Sequence, residues 1–440
     1  MARHLLVVSL LLSAAACFAQ DPPAATTYDL AAVIKAALEH HPSLGAAAQD
    51  VKAAEARVRQ VQAHFRPQIN AEAGYTRLQE DPSFSVQGFG TMTFGEADNW
   101  TANLGLEFPL YTGGKLEGMK AGAQAGVAMS EEQLARSRQT VAVNAARAYT
   151  RLLEANRMLP VIADQVKALQ EVVRAATALA EQGVVAKIDV MRAQVALSGA
   201  QSGLAELQAN RRAANAMLVE AMGLPPGTQV AIAETATDPD AATPELTAEQ
   251  WQTAWEQRPD LRLLAAQKRA LQAQVAVAHS DMKPQIGLFA RSEFERPTFY
   301  PDTGTLSGGL MVRQRLSDGG ASHQAVAEAR ARLEQLERVE EQVKYGIAVQ
   351  VQVAITGVEG ARVRLATTTP AVALAREALR LTQVGYANGV MPLTDVLQAQ
   401  AALTKASADN EGALSALRQS LVELDYAMGR LDAPPTAPAG

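Results

Sequence analysis

Cysteine is nearly absent from this sequence, since Cys17 is the only one in 440 residues. It lies in an N-terminal segment, residues 1–19, in which basic residues precede an apolar run from Leu5 to Ala16 and a small-residue end at Ala19. This pattern is typical of a secretory signal peptide. Cleavage after Ala19 leaves a mature chain without thiols, which excludes disulfides and thiolate metal sites. The alternative is that Cys17 becomes the lipidated first residue of a lipoprotein.

Aromatic residues, long apolar runs and basic blocks are also scarce. Only 5% of the residues are aromatic although 48% are hydrophobic. Alanine makes up much of the difference, and its helix propensity and small size predict long, closely packed helices. Beyond the signal peptide, no apolar run approaches the ~20 residues of a membrane-spanning helix. The formal net charge of −6 comes with no sustained basic block, which argues against a nucleic-acid partner.

Patterns that carry enzyme chemistry are missing as well. The six histidines are scattered, apart from His40 and His41 before Pro42, so no metal site is predicted. The sequence contains no phosphate-binding glycine loop, nucleophile elbow or paired catalytic acids in a supporting context. We therefore predict a protein that is not an enzyme and that has no cofactor.

One eight-residue phrase occurs twice, as GVVAKIDV from Gly183 and as GVMPLTDV from Gly389. Other motifs recur in the same order in both halves, namely HPSL and RPDL, RPQI and KPQI, YTGG and SDGG, and AMG twice. The offset between the halves is 217 residues up to Pro67 and 206 residues from Gly113 onwards. The chain is therefore an internal duplication, with an 11-residue difference in a predicted exposed loop.

Two stretches in each half alternate between apolar and polar residues, which predicts β-hairpins over 68–110 and 285–316. In the clearest stretch Trp100, Leu104 and Leu106 alternate with polar residues. Each predicted strand has about 10 residues, the length of a tilted strand that crosses a bilayer. Four strands cannot close a barrel, and an open edge in lipid is costly. The strands therefore form either soluble hairpins or a barrel completed by further copies of the chain.

Most of the remaining sequence predicts helix. The spans 114–180 and 320–387 are each long enough for a helix of about 100 Å. Pro160 and Pro370 fall inside them and are expected to kink or interrupt the helices. Shorter helices are predicted before the hairpins and after the repeated phrase.

These boundaries divide the mature chain into two repeats. The first repeat covers 28–223 and the second 247–429. A proline-rich segment, 224–246, belongs to neither and is predicted to be an equatorial connector between them. The last residues, 430–440, have the composition of a disordered tail.

The motifs in this order resemble the TolC-like outer-membrane efflux protein family over nearly the whole mature chain. The stretches that carry the resemblance are HPSL, FRPQI, FPLYTGG and EQGVVAKIDV in the first half, and RPDL, KPQI, RLSDGG and YANGVMPLTDVLQAQAAL in the second. The resemblance implies a mainly α fold with a membrane β-barrel. Long antiparallel coiled-coil helices form a periplasmic α-barrel, and three chains with four strands each complete a twelve-stranded barrel in the outer membrane.

The function implied by the resemblance is that of an exit duct. Such a homotrimer conducts substrates passively to the exterior for a tripartite efflux pump or a type I secretion system. Its partners are a periplasmic membrane-fusion adaptor and an inner-membrane RND or ABC transporter. The alternative is a non-conducting periplasmic coiled-coil scaffold.

The repeated phrase is predicted to be the turn between a long and a shorter helix, at 183–189 and again at 389–395. Gly183 and Gly389 allow the backbone angles of a helix stop, and a simple cap is one sufficient explanation for them. The second interpretation adds an adaptor-docking surface formed by the apolar residues beside the glycines. These residues are Val184, Val185, Val390 and Met391.

An aspartate follows each glycine by six residues, as Asp189 and Asp395. An acid in the first helical turn complements the helix dipole, and Pro392 predicts a helix start just before Asp395. The resemblance further implies that Asp395 contributes to an acidic ring at the tunnel mouth, and that Asp189 and Tyr386 belong to bonds that keep the mouth closed.

Two positions depart from the family pattern at this mouth. Gln398 lies one turn beyond Asp395, where some relatives have a second acid. Met391 stands where some relatives have an arginine that bonds across the gate. We therefore expect a weaker or differently latched gate.

Overall fold

The computed structural model describes residues 27–93, 95–233, 255–296 and 304–431. The signal peptide with Cys17, most of the connector and the tail from residue 432 lie outside these ranges. The chain divides into two compact units. The helical unit comprises Met1–Gly45, Ser137–Gln257 and Ile347–Gly440, and the sheet unit comprises Ala46–Arg136 and Arg258–Gly346.

Helices dominate the described chain, and their lengths repeat between the two halves. They are α1 (Leu30–His40), α2 (Pro42–Ala63), α3 (Lys115–Glu181), α4 (Lys187–Ala221), α5 (Pro259–Ser280), α6 (Ala321–Ala387) and α7 (Leu393–Ala427). The two longest, α3 and α6, have 67 residues each, and the helices that follow them have 35 each. None of the described helices is both long and apolar enough to cross a membrane.

Neither internal proline interrupts its helix, so the prediction of an interruption is wrong. Helix α3 continues through Pro160 and α6 continues through Pro370. A proline removes one backbone hydrogen bond and costs about 3 kcal/mol, which a helix of 67 residues can offset through its other turns and its packing. Before Pro370, the hydroxyl of Thr369 donates to the Leu365 carbonyl at 2.9 Å.

The sheet unit contains one four-stranded antiparallel sheet. Its strands are β2 (Gln68–Arg77), β5 (Asp98–Tyr111), β7 (Gln285–Arg296) and β8 (Gly304–Arg313). The order in the sheet is β2-β5-β7-β8, so β2 and β8 form its two edges. The predicted apolar face is exposed along the strands, as Trp100, Leu104 and Leu310 show.

The two hairpins of this sheet have equivalent registers. Gln68 pairs with Glu107 in the first hairpin, and Gln285 pairs with Arg313 in the second. Gln285 follows Gln68 by 217 residues and Arg313 follows Glu107 by 206, which are the two offsets of the sequence repeat. Strand pairing therefore obeys the same duplication as the motifs do.

A second, smaller hairpin occupies the loop between β2 and β5. It consists of β3 (Ser83–Val86) and β4 (Gly90–Thr93), joined at Gly88, whose φ is 96°. The loop falls in the interval where the first half has 11 extra residues. The sequence predicted only a polar loop there, because strands of four residues are too short to show a clear alternation.

The helical unit is held by small aliphatic side chains and by a short parallel sheet. Strand β1 (Thr27–Tyr28) pairs with β6 (Ala231–Ile232), which brings the first part of the connector against the residues just before α1. Nearby, Asn215 accepts a hydrogen bond from the Val230 amide at 3.1 Å. A core cluster joins α3 to α7 and is packed by residues of α1. Its buried members are Ala142, Val143, Ala146, Val422 and Leu431.

The two copies of the AMG motif end α4 and α7 in the same backbone conformation. Gly223 has a φ of 68° and Gly429 a φ of 73°. Their surroundings differ, because a Cβ on Gly223 would lie 2.7 Å from the His40 carbonyl oxygen, whereas the nearest atoms to a Cβ on Gly429 are 3.5 Å away, on Gln257. Only the first copy is therefore pressed against neighbouring backbone.

Candidate functional site

The first repeated turn, between α3 and α4, is a glycine-terminated helix end. Gly183 has a φ of 75°, in the left-handed region that favours glycine. The amide of Gly183 donates to the Ala180 carbonyl at 3.0 Å, and the amide of Val184 donates to the Leu179 carbonyl at 2.9 Å. This pair of bonds satisfies carbonyls that the helix end leaves free, so the glycine fixes where α3 stops.

The second turn, between α6 and α7, has the same plan with one addition. Gly389 has a φ of 71°, and the amides of both Val390 and Met391 donate to the Gly385 carbonyl, at 2.9 and 3.2 Å. A Cβ on Gly385 would lie 2.9 Å from Cγ of Met391. Gly385 therefore makes room for the Met391 side chain, whereas the matching position in the first half is Leu179.

Both turns present aliphatic side chains to solvent. Val184 is 65% exposed and Val390 is 78% exposed, while Met391 is exposed and Val185 is half-buried. The first turn continues into an exposed apolar row on α4, which the sequence analysis did not include in the site. The row consists of Ile188, Met191 and Val195. Their spacing of three and four residues places them on one helix face. This spacing could have revealed the row from the sequence.

The two aspartates occupy the same position in their helices but have different partners. Helix α4 begins at Lys187 and α7 at Leu393, so each aspartate lies in the first turn, where the helix dipole favours a negative charge. Pro392 is the N-cap residue of α7, so the helix starts just before Asp395 as predicted. Neither N-cap side chain, on Ala186 or Pro392, forms a capping hydrogen bond.

Asp189 is paired with a cation, whereas no salt bridge joins Asp395 to another described residue. Arg192 Nη1 lies 3.4 Å from Asp189 Oδ1. The position that matches Arg192 in the second half is Gln398, which is exposed and carries no charge. Among the described residues, the printed side-chain partner of Asp395 is the neighbouring Thr394 hydroxyl, at a long 3.4 Å. The carboxylate of Asp395 is therefore the less neutralised of the two.

Tyr386 lies in the last turn of α6 and is half-buried. Its ring packs against a buried cluster of Ala176, Ala193 and Leu393. Burial raises the pKa of the Tyr386 phenol, and the negative charge of Asp189 raises that pKa further. The hydroxyl has no hydrogen-bond partner among the described residues. The structure thus brings Tyr386 and Asp189 near each other without joining them by a hydrogen bond.

A cavity of about 330 Å³ lies beyond the turns, between α3, α4 and α7. Small residues of α4, including Gly199 and Gly203, form part of its wall. Gln400 lines the cavity as well and is only 5% exposed. Its side-chain Oε1 has no hydrogen-bond partner among the described residues. The sequence analysis missed Gln400, because its counterpart Gln194 is exposed and only tertiary packing distinguishes the two.

Long helices joined by glycine turns, together with a four-stranded sheet of exposed apolar face, define a class of outer-membrane channel proteins. A model of the family described as outer membrane efflux protein matches residues 33–224 and 251–430, one match in each half. The chain belongs to this family. It is an outer-membrane efflux channel protein, which supports the duct over the scaffold alternative.

Particular relatives agree with this assignment. Protein CyaE of Bordetella pertussis is 24% identical over 347 residues, covering 78% of this chain and 72% of that protein. The Campylobacter jejuni CmeC outer membrane channel superposes with a TM-score of 0.79 at 16% identity, over 93% of this chain and 87% of that chain. The Vibrio cholerae outer membrane protein VceC gives 0.74 at 19% identity, over 91% and 96%. The CmeC and VceC structures share the fold of this chain.

Proposed function

We propose that three copies of this chain form an exit duct in the outer membrane, with the helices extending as a tunnel into the periplasm. One observation carries the proposal. The four-stranded sheet has an apolar face for lipid but leaves two edges, β2 and β8, unpaired within the described chain. Unpaired backbone groups cost several kcal/mol each in a bilayer. Three sheets joined edge to edge close a barrel of twelve strands and remove every edge.

Each repeat has a matching role in this duct. The first repeat, 28–223, and the second, 247–429, each supply a hairpin to the barrel and a pair of helices to the tunnel, and the connector, 224–246, joins them at the equator. Cargo reaches the tunnel from a periplasmic membrane-fusion adaptor and an inner-membrane transporter of the RND or ABC type.

The gate of the duct is formed by the four polar residues at the turns. Three copies of Asp395 form a ring whose charge the neighbouring Gln398 does not neutralise. Tyr386 and Asp189 hold the closed mouth from the side, which the effect of the Asp189 charge on the Tyr386 pKa supports. The Tyr386 hydroxyl is buried and has no hydrogen-bond partner among the described residues, so a hydrogen bond formed in the closed mouth would satisfy it.

The adaptor docks on the apolar tips of the turns. Val184 and Val390 are held outward by the glycine-terminated helix ends, and neither is covered within the described chain. The extra bond to the Gly385 carbonyl and the seated Met391 side chain distinguish the second turn from the first. Each chain therefore offers two different docking tips, one at 183–185 and one at 389–391.

Assembly and conduction test the duct. The detergent-extracted protein is expected to have the mass of a trimer by multi-angle light scattering and to conduct ions in planar lipid bilayers. Recovery as a monomer in the soluble periplasmic fraction, without conductance, contradicts the proposal and restores the scaffold alternative.

A charge at a docking tip tests the adaptor surface. Val390→Glu is expected to lower recovery of a co-expressed periplasmic adaptor with the tagged channel by at least ~10-fold, because a carboxylate is costly to bury in an apolar contact. An RND-type and an ABC-type adaptor serve as the probes. Val363→Glu is the matched control, since Val363 is an exposed valine of α6, at 66%, distant in sequence from the turn. Equal recovery in both variants, with the trimer intact, rules out the tip.

A further inference from the structure

The two edge strands of the four-stranded sheet, β2 and β8, are the strands through which two copies of the chain would pair. Strand β2 pairs only with β5, and β8 pairs only with β7, within the described residues. If copies assemble as proposed above, β8 of one copy adjoins β2 of the next. Assembly as a trimer does not by itself determine which residues of β8 and β2 lie opposite each other.

The internal duplication supplies this register. Within one chain the two hairpins meet where β5 pairs with β7, and there Glu107 lies opposite Phe289. Strand β8 is the repeat of β5 at an offset of 206, and β2 is the repeat of β7 at an offset of 217. The repeat of Glu107 is therefore Arg313, and the repeat of Phe289 is Glu72. A junction that copies the β5–β7 pairing places Arg313 directly opposite Glu72 of the next copy.

The faces of the strands agree with this register. The pairing of Leu104 with Ser292 transfers to Leu310 opposite Tyr75, and both of these side chains are at least half exposed, at 60% and 50%. They join the apolar face, whereas Arg313 and Glu72 fall on the opposite, polar face, which lines the lumen of a membrane barrel. A slip of one residue would exchange the two faces on one strand.

The charges agree as well. A slip of two residues keeps the faces but places Arg313 opposite uncharged Asn70 or Gly74. The slip to Gly74 would bring Arg315 opposite Glu72, but Arg315 lies beyond the end of β8 and is paired with Asp318 at 3.8 Å. Glu72 forms no salt bridge with another described residue, and the printed side-chain partner of Arg313 is the Met311 sulfur, at 3.9 Å. Opposite charges directly across a strand pair stabilise it. We infer that an ion pair between Arg313 of one copy and Glu72 of the next fixes the register at which the sheets join.

Cysteine pairs test this register in the full-length protein. The double variant Glu72→Cys with Arg313→Cys is expected to form disulfide-linked dimers and trimers on mild oxidation, seen on non-reducing gels. The matched control is Glu72→Cys with Met311→Cys, which moves one cysteine by two residues on the same face and is expected to crosslink several-fold less. Each single variant is expected to give no ladder. A charge exchange, Glu72→Arg with Arg313→Glu, is expected to restore the heat resistance of the trimer that each reversal alone lowers.

The outcomes separate this inference from the proposed duct. A trimer by light scattering in which the Met311 pair crosslinks as well as or better than the Arg313 pair overturns the register and leaves the duct intact. A trimer in which neither pair crosslinks also overturns the register. A protein that remains monomeric overturns both the register and the duct.

Discussion

Replacing Asp395 by asparagine is expected to weaken block of the open channel by divalent cations by on the order of tenfold or more. In water a unit charge at ~4 Å contributes about 1 kcal/mol to the binding of a cation, and a divalent ion doubles this. Three copies of Asp395 form the proposed ring, and salt screens only part of their combined electrostatic field. Asp395 is expected to have the stronger effect of the two acids, because the arginine that accompanies Asp189 has no counterpart beside Asp395.

Two further variants separate charge from structure at this ring. Asp395→Glu retains the carboxylate and is expected to retain the block. Gln398→Arg places a cation where the first half has Arg192, so it is expected to weaken the block without a change at Asp395. The measurement is the divalent concentration that halves single-channel conductance in planar bilayers. An unchanged value in Asp395→Asn shows that the ring lies elsewhere.

Gly223→Ala is expected to destabilise the protein by about 3 kcal/mol or more. A side chain at a φ of 68° costs roughly 1–2 kcal/mol. The new methyl group would also meet the backbone of His40 and His41 at 2.7 to 2.8 Å, which forces a backbone shift that typically costs 1–3 kcal/mol.

The duplication provides the control for this prediction. Gly429→Ala carries the same left-handed conformation, with a φ of 73°, but has room for the methyl group. It is therefore expected to cost only the conformational part, roughly 1–2 kcal/mol. The comparison is made by urea unfolding of the detergent-extracted variants, followed by circular dichroism. Equal losses in the two variants contradict the backbone contact as the cause.

Features governed by local chemistry were predictable from the sequence. The glycines of the repeated phrase end α3 and α6 because a left-handed helix stop requires them. The parity of Trp100 and Leu104 predicted the face that the strand exposes. Even the ion pair between Asp189 and Arg192 was accessible, because residues three apart on a helix are neighbours.

Features decided by packing over distance were not predictable. Local rules for proline allowed an interruption at Pro160, but the helix continues because its remaining turns offset one missing hydrogen bond. Gln194 and Gln400 are glutamines at equivalent positions of the two repeats, yet only Gln400 is buried. No pattern within one chain segment carries that difference, since it arises from the other helices that pack there.

The small hairpin β3–β4 makes the connection between the two strands longer in the first half than in the second. The connection from β2 to β5 spans 78–97, whereas the connection from β7 to β8 spans only 297–303. Phe89, at the tip of the hairpin, is 87% exposed. In the proposed duct these loops face the exterior, so the outer rim alternates long and short loops around the pore. In that trimer the long loop occurs three times, so an epitope inserted beside Phe89 is expected to display three tags per channel to the outside of the cell.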